Sequence, residues 1–530
     1  MTFNYLMKNI FITAFSVMLL LVCSCAKKQE NSETKNHNIP LSSNNPKAIT
    51  FFRAAENHKF NQEYIEAKED YRSALRLDPN MILALTEINE DNINVALEYR
   101  RKAVRNLKNS NEFERIFVEW DTIANSNEGR IKKRELSKKV IELHPEKING
   151  YLMMGQSFNN WNEESKEAIP FFTKALEIDP QNAKATDNYL RYTYGGSRRS
   201  ARLKNDFDFY NQFDLEAKSL AEKFPKSLRI QSRIAEIYRN TYNFSDESRI
   251  QKTLSFYNKC QEIVNETGSS FKNNLLTSIA RVNLLTGDSD KAINMLETSL
   301  KDYEGNSQLI SKYFRLFLAH LYNGNYLGAI KSIDNFDNFL ESSDFTKEEL
   351  LKSRVGLNNF KAIIYAHANQ KDRALKSLDI YKKHSDSLVK FYNLKGDIHQ
   401  QLRSVPGLGF VRWREASPRG QLWHEIWINI MVGNFKTAEL LQDNFEKTYG
   451  LRQTHWDGVM NILQGNSEKG YNILERNTYG YMQYFKSQAL ISLGEKEKAK
   501  PVLDSIRQLP EGSIFNNLVV KRAANLYNQL

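Results

Sequence analysis

The chain has 530 residues, enough for three or four ordinary domains of roughly 150 residues each. Glycine (23) and proline (11) together hold about half their usual share of roughly 12%, which excludes a turn-dense all-β chain. With 41% hydrophobic and 26% charged residues the chain can bury a core, and a net charge of +11 directs it toward acidic partners or anionic surfaces. The first element is an apolar run, Ile10 to Val22, interrupted by Thr13 and Ser16, preceded by Lys8 and followed by Ser24-Cys25-Ala26-Lys27-Lys28. The run falls short of the about 20 residues a spanning helix needs, and its charged, apolar and small-residue regions follow the layout of a secretory signal. Residues 1–24 are therefore expected to be cleaved.

Leu21-Val22-Cys23-Ser24 in front of Cys25 resembles a bacterial lipobox, the motif read by the lipoprotein signal peptidase. The resemblance implies a diacylglycerol on the Cys25 sulfur and an acyl chain such as palmitate on its new amino group. Two or three chains make a stable membrane anchor. Cys23 fits less well, because Val22 is not a small residue. A plain signal peptide that leaves Cys25 unmodified is the alternative. Ala26 in place of aspartate, by resemblance to the enterobacterial sorting pattern, favours the outer membrane of the cell envelope. Residues 25–46 are mostly Lys, Gln, Glu, Asn and Ser, and read as a flexible tether. Removal of Cys23 leaves Cys260 with no intramolecular disulfide to make, and Leu254, Tyr257, Ile263 and Val264 around it predict a core thiol on a helix.

The body carries an internal repeat. Ala67, Tyr71, Ala74 and Pro79 recur as Ala168, Phe172, Ala175 and Pro180, in the segments EAKEDYRSALRLDPN and EAIPFFTKALEIDPQ. Here the chain resembles the tetratricopeptide repeat (TPR) family, whose second helix ends in this way. A turn glycine five residues before a small residue marks further copies: Gly287/Ala292, Gly324/Ala329, Gly433/Ala438 and Gly494/Ala499, with Asn369/Ala374 and Gly465/Gly470 as variants. The turn needs a residue that tolerates positive φ, and the helix crossing needs a small side chain. The fold class expected is an all-α, TPR-like helical-repeat solenoid of antiparallel helix pairs, on the order of twelve pairs, following the signal and tether. Pro170 falls near the start of its helix, where proline is tolerated. The repeats are expected over 47–400 and again over 421–530. Between them, 401–420 holds the densest Pro/Gly stretch of the body, with Arg412, Trp413 and Arg414, and reads as a loop or junction.

Catalytic motifs are weak. His424-Glu425 lacks the second histidine of a zinc-protease helix, Gly407 and Gly409 lack the third glycine of a dinucleotide loop, and no Cys/His cluster has metal spacing. His455-Trp456-Asp457 reads as helix packing. Glu163-Glu164 and Glu348-Glu349 are adjacent in sequence, so they read as solvated or N-terminal-turn charges and not as catalytic pairs. Neither an enzyme activity nor a metal or cofactor is expected. Basic runs at Arg100-Arg101-Lys102, Lys132-Lys133-Arg134, Arg198-Arg199 and Arg412–Arg419 suit anionic lipid or acidic protein faces better than nucleic acid on an exported chain. The expected function is that of a non-catalytic envelope lipoprotein. Its inner groove would bind other envelope proteins or peptide segments as a scaffold or assembly factor, with the membrane held through the covalent lipid. The alternative is a SusD-like glycan or nutrient binder, with a ligand loop around Arg412, Trp413, Arg414 and Trp423.

Overall fold

The computed structural model describes residues 38–88, 90, 93–123, 126–159, 164–195, 206–241, 247–301, 306–343, 345–396, 398, 416–509 and 513–530. Among these residues the chain forms 25 α-helices, one short 3₁₀ turn and no strand, so the all-α expectation holds. The signal segment, Cys25 and most of the tether lie outside the described residues, as do Arg412, Trp413 and Arg414.

The helices follow one another as hairpins. The first half comprises α1 (Pro46–Phe60) and α2 (Tyr64–Leu77), α3 (Ile82–Glu87) and α4 (Ile93–Asn106), α5 (Glu112–Thr122) and α6 (Asn127–Leu143), and α7 (Ile148–Gln156) and α8 (Glu164–Ile178). It continues with α9 (Ala183–Thr193) and α10 (Phe207–Lys223), α11 (Leu228–Asn240) and α12 (Glu247–Thr267), and α13 (Lys272–Leu285) and α14 (Ser289–Lys301). The second half comprises α15 (Asn306–Tyr322) and α16 (Tyr326–Ser342), α17 (Lys347–His367) and α18 (Lys371–Phe391), and α19 (Pro418–Met431) and α20 (Phe435–Tyr449). Then come α21 (Thr454–Leu463) and α22 (Ser467–Leu474), α23 (Gly480–Ser492) and α24 (Lys496–Arg507), and a last single helix, α25 (Ile514–Tyr527).

Small residues stand where helices cross. Ala67 and Ala74 in α2, and Ala168 and Ala175 in α8, are buried, as are Tyr71 and Phe172 between them. The fit in the α7–α8 hairpin is tight: a Cβ on Gly155 of α7 would come within 2.4 Å of the Phe172 ring. Pro79 and Pro180 are exposed in the turns that follow Asp78 and Asp179. In the later hairpins Ala292, Ala329, Ala374, Ala438 and Ala499 are buried to the last percent, and the turns before them hold Gly287, Gly324, Gly433 and Gly494 at φ between 72° and 86° and Asn369 at 57°. At Gly433 nothing lies within 4 Å of where a Cβ would stand, so backbone conformation and not space sets the need for glycine there.

Three local features depart from the sequence expectation. Pro170 is inside α8, one turn deeper than a first-turn position. The stretch read as a junction gives its last residues to α19: Ser417 Oγ accepts the Gly420 N–H at 3.1 Å and Pro418 takes the first helical position, a strong helix start. The end of the tether is not loose, because Ile39 is buried in the first core cluster.

Both halves of the array fold back on themselves. At the α1–α2 turn, Asn61 Oδ1 accepts the Arg229 N–H of α11 at 3.3 Å, and Glu66 accepts the Ser270 N–H just before α13 at 2.8 Å. In the second half α25 returns to α15. Asn517 Nδ2 donates to the Leu318 carbonyl at 3.2 Å, and Tyr326 Oη donates to the Leu518 carbonyl at 3.1 Å.

Candidate partner-binding surface

Stacked hairpins present the first helix of each pair on one side, and that side is where a long partner segment is expected to lie. In the second half it is already filled. α17, α19, α21 and α23 contribute His367, Trp427, Trp456 and Tyr481, all buried. Trp427 stacks on Trp456 with ring centroids 4.2 Å apart and meets Tyr481 edge-on at 5.1 Å. Tyr481 Oη shares a 2.6 Å hydrogen bond with His367 Nε2, and Arg522 of α25 donates to the His367 carbonyl at 2.6 Å. Phe515 of α25 covers the cluster against Trp423, Trp427 and Tyr481. This face is core, and α25 is its lid.

The first half keeps open space. A cavity of about 380 Å³ lies among the first helices α1, α3, α5, α7 and α9, with residues 38–41 forming one wall. That volume falls within the range of roughly 300–1,000 Å³ usual for ligand pockets. Its lining combines apolar groups such as Phe52, Leu83 and Phe113 with amides such as Asn149 and Asn182 and with charged groups. Among the latter, Glu56 accepts from Tyr71 Oη and lies 3.9 Å from Lys184 Nζ, while Glu87 pairs with Lys59. Burial pushes the Glu87 carboxyl above its ordinary range even beside the Lys59 ammonium. Arg53 is half-buried on this wall and has no ion-pair partner among the described residues.

Farther along the same side the charge turns basic. Arg233 and Arg229 of α11 reach Asp187 of α9 at 2.7 and 3.2 Å, and Arg233 also holds Glu236 at 2.5 Å. Burial opposes ionisation of Asp187, yet Arg233 and Arg229 overcome it and leave the carboxyl below its usual range. Arg191, one turn after Asp187, is exposed and forms no ion pair among the described residues. Such a surface attracts acidic groups.

The described residues weighed for chemistry are accounted for by packing and local pairing. His424 is fully buried, within 3.2 Å of Asn359 Nδ2 and edge-on to Tyr381, and burial pushes its pKa down to about 3. Trp456 belongs to the aromatic core, and Asp457 accepts from Arg452 Nε at 2.7 Å. Glu349 caps α17 in a reciprocal pair with Thr346, while Glu348 binds Lys352 and Tyr392. Trp423 stands in α19 and not in a loop, its ring 5.0 Å from Trp456 and 6.1 Å from Phe515. Cys260 is buried, with its thiol pushed up to about 12. Among the described residues no cluster of His, Cys, Asp and Glu could hold a metal, and no helix is long and apolar enough to cross a membrane. Sequence reasoning missed Arg53 and Asn149, because a lone arginine or asparagine on a helix carries no motif.

Residues 48–81 and 149–182 match the tetratricopeptide repeat profile. The matched stretches coincide with two of the hairpins, α1–α2 and α7–α8. Both matched hairpins face the cavity with their first helices, through Phe52 and Arg53 of one and Asn149 and Leu152 of the other. No curated protein sequence matches the chain. Among solved structures, a monomeric mutant of IFIT1 with Gppp-AAAA is similar over 86% of this chain and 89% of its own, with 13% identity and a TM-score of 0.37. The TPR domain of P58(IPK) is similar over 79% of this chain and 99% of its own, with 11% identity and a TM-score of 0.19.

Proposed function

We propose that this protein is a non-catalytic scaffold of a bacterial envelope, exported and lipid-anchored through Cys25, whose first-half inner face binds a segment of a protein partner. The observation that carries the reading is the cavity of about 380 Å³ bordered by both matched hairpins, with Arg53 on its wall. The basic groups beyond it, from Lys184 to Arg191, favour a partner segment that carries acidic residues. The anchor rests on the lipobox resemblance at Leu21–Cys25 and on the polar residues that follow it. Stable retention at the membrane then follows from two or three acyl chains. Ala26 after the lipidated position, by resemblance to the enterobacterial sorting pattern, favours the outer membrane.

The experiment is site-specific photo-crosslinking in native membranes, with the photoreactive residue at Phe117 in the cavity wall or at Leu440 on exposed α20. Adducts to one envelope protein from position 117 and not from 440 are expected. A Cys25→Ala variant should move to the soluble fraction and lose metabolic labelling with palmitate. Adducts from 440 alone would sink the assignment of the surface, and full membrane retention of Cys25→Ala would sink the anchor.

A further inference from the structure

The wall of the cavity formed by residues 38–41, in a stretch that runs on to Ser43, differs from the helical walls. Lys27 to Asn38 hold no apolar residue, yet Ile39, next in the chain, is only 3% exposed. The Ile39 N–H donates to Asn149 Oδ1 at 2.8 Å, and Asn111 Nδ2 donates to the Pro40 carbonyl at 2.8 Å. The Ser42 N–H donates to Glu114 Oε1 at 3.0 Å. These three contacts take the main chain of the segment and hold a path more than a particular sequence, while at its end Ser43 Oγ donates to Asp78 Oδ2 at 2.6 Å. Asn111 and Glu114 are also the two halves of the capping box of α5, and that turn keeps them in place whether or not the segment is present. The only deeply buried side chain of the stretch is Ile39.

The seat is poorly filled. About 380 Å³ of partly open space remains beside Ile39, lined also by Arg53 of α1, which makes no ion pair among the described residues.

We propose that residues 38–43 are a built-in occupant of the partner seat. The partner displaces them with a non-helical segment that puts an apolar side chain where Ile39 lies and an acidic group next to Arg53. The inference rests on the reading of this face as the partner-binding surface. Docking then releases the stretch that joins the N-terminal residues to the helices. Residues 38–43 pulled straight would span roughly 20 Å between an anchor and the body.

The test uses the full chain and two fluorescent hexapeptides, Asn-Ile-Pro-Leu-Ser-Ser and Asp-Ile-Pro-Leu-Ser-Ser, titrated by anisotropy. A covalently joined segment acts at an effective concentration on the order of millimolar, so against a peptide of about 100 μM affinity it weakens binding to wild type about tenfold. An Ile39→Asp chain should therefore bind both peptides about tenfold tighter than wild type. Adding Asn149→Ala to that chain should weaken binding of both peptides about two- to tenfold, and Arg53→Ala should erase the preference for the aspartate peptide. Equal binding to wild type and Ile39→Asp, or binding to neither, overturns the proposal. In that event crosslinks from position 117 to a partner would leave the scaffold reading intact, whereas their absence would remove it as well. Should Ile39→Asp lose its helical circular dichroism, amide exchange at Ile39 in wild type decides. Excess peptide must speed that exchange, and an unchanged rate overturns the displacement.

Discussion

Replacing Trp427 with alanine tests whether the inner face of the second half is core or groove. The side chain is fully buried, stacked on Trp456 at 4.2 Å and edge-on to Tyr481 at 5.1 Å and Phe485 at 6.1 Å. An aromatic side chain of this size buries roughly 200 Å², worth about 5 kcal/mol at ~25 cal/mol per Å². Truncations of buried Phe and Trp cost about 3–5 kcal/mol in practice. In an open groove the same change would stay near the roughly 0.5 kcal/mol of surface substitutions. A long helical array does not unfold as a single two-state unit, so one global midpoint is the wrong observable. Native-state hydrogen exchange in α25 is the right one, because Phe515 of that helix rests on the cluster. A loss of about 3–5 kcal/mol corresponds to a fall of roughly two to four decades in protection. Trp427→Phe, which keeps a ring in place, should lose much less. If protection in α25 changed less than threefold in Trp427→Ala while the helix content stayed intact, the claim that this face is filled core would be wrong.

Two glycines should fail for different reasons. Gly155→Ala drives a Cβ against the Phe172 ring and should cost about 1–3 kcal/mol by overpacking, a cost that Phe172→Leu in the same chain partly relieves in chemical denaturation. Gly433→Ala meets open space at φ of 78°, so it should cost about 1–2 kcal/mol of backbone strain that no neighbouring substitution relieves. His424 makes the second half acid-sensitive. Its folded pKa of about 3 lies below the ordinary 6.5, so the unfolded chain binds the proton first. The contribution is complete above about pH 6.5 and is lost as pH falls toward 3, by up to about 1.4 kcal/mol per pH unit. His424→Gln should flatten the stability-versus-pH curve between pH 6.5 and 4, and an unchanged slope would refute the assignment. Cys260, buried and with a raised pKa, should resist iodoacetamide at pH 8 in the folded chain and react fully in denaturant.

The hairpin architecture is legible because it is written in local spacing. Small residues seven apart, and a turn residue of positive φ five before them, need only one hairpin to make sense, and each hairpin repeats the same demand. The closures are not written that way. Asn517 finds Leu318, and Arg522 finds His367, across the width of the array. Whether they meet depends on the summed rotation from hairpin to hairpin, which no single repeat encodes. The same limit explains Trp423, which reads as a ligand aromatic next to a Pro/Gly stretch but faces Trp456 once α19 begins at Ser417 and Pro418. Ile39-Pro40-Leu41 is too short an apolar triplet to stand out from polar neighbours. Its meaning comes only from Asn111, Glu114 and Asn149 converging on it.

Helical arrays carry a cost at their ends, where the last hairpin has no neighbour to cover its apolar face. This chain meets that cost by turning both ends inward, but with contacts of different kinds. α25 brings a whole helix face, with Leu518 and Val519 buried and Asn517 bonded through its side chain, so removing it would uncover Trp423, Trp427 and Tyr481, the rings that Phe515 covers. Residues 38–43 bring one buried side chain, one side-chain hydrogen bond from Ser43 to Asp78 and three main-chain hydrogen bonds, the last three each worth about 0.5–1.5 kcal/mol net and each replaceable by another backbone. The first arrangement resembles a core; the second resembles a complex. The inner surface is thus divided by the energetics of its own occupants, and a partner that supplies the same backbone contacts, a better-filled cavity and a charge for Arg53 has to displace only the weaker one.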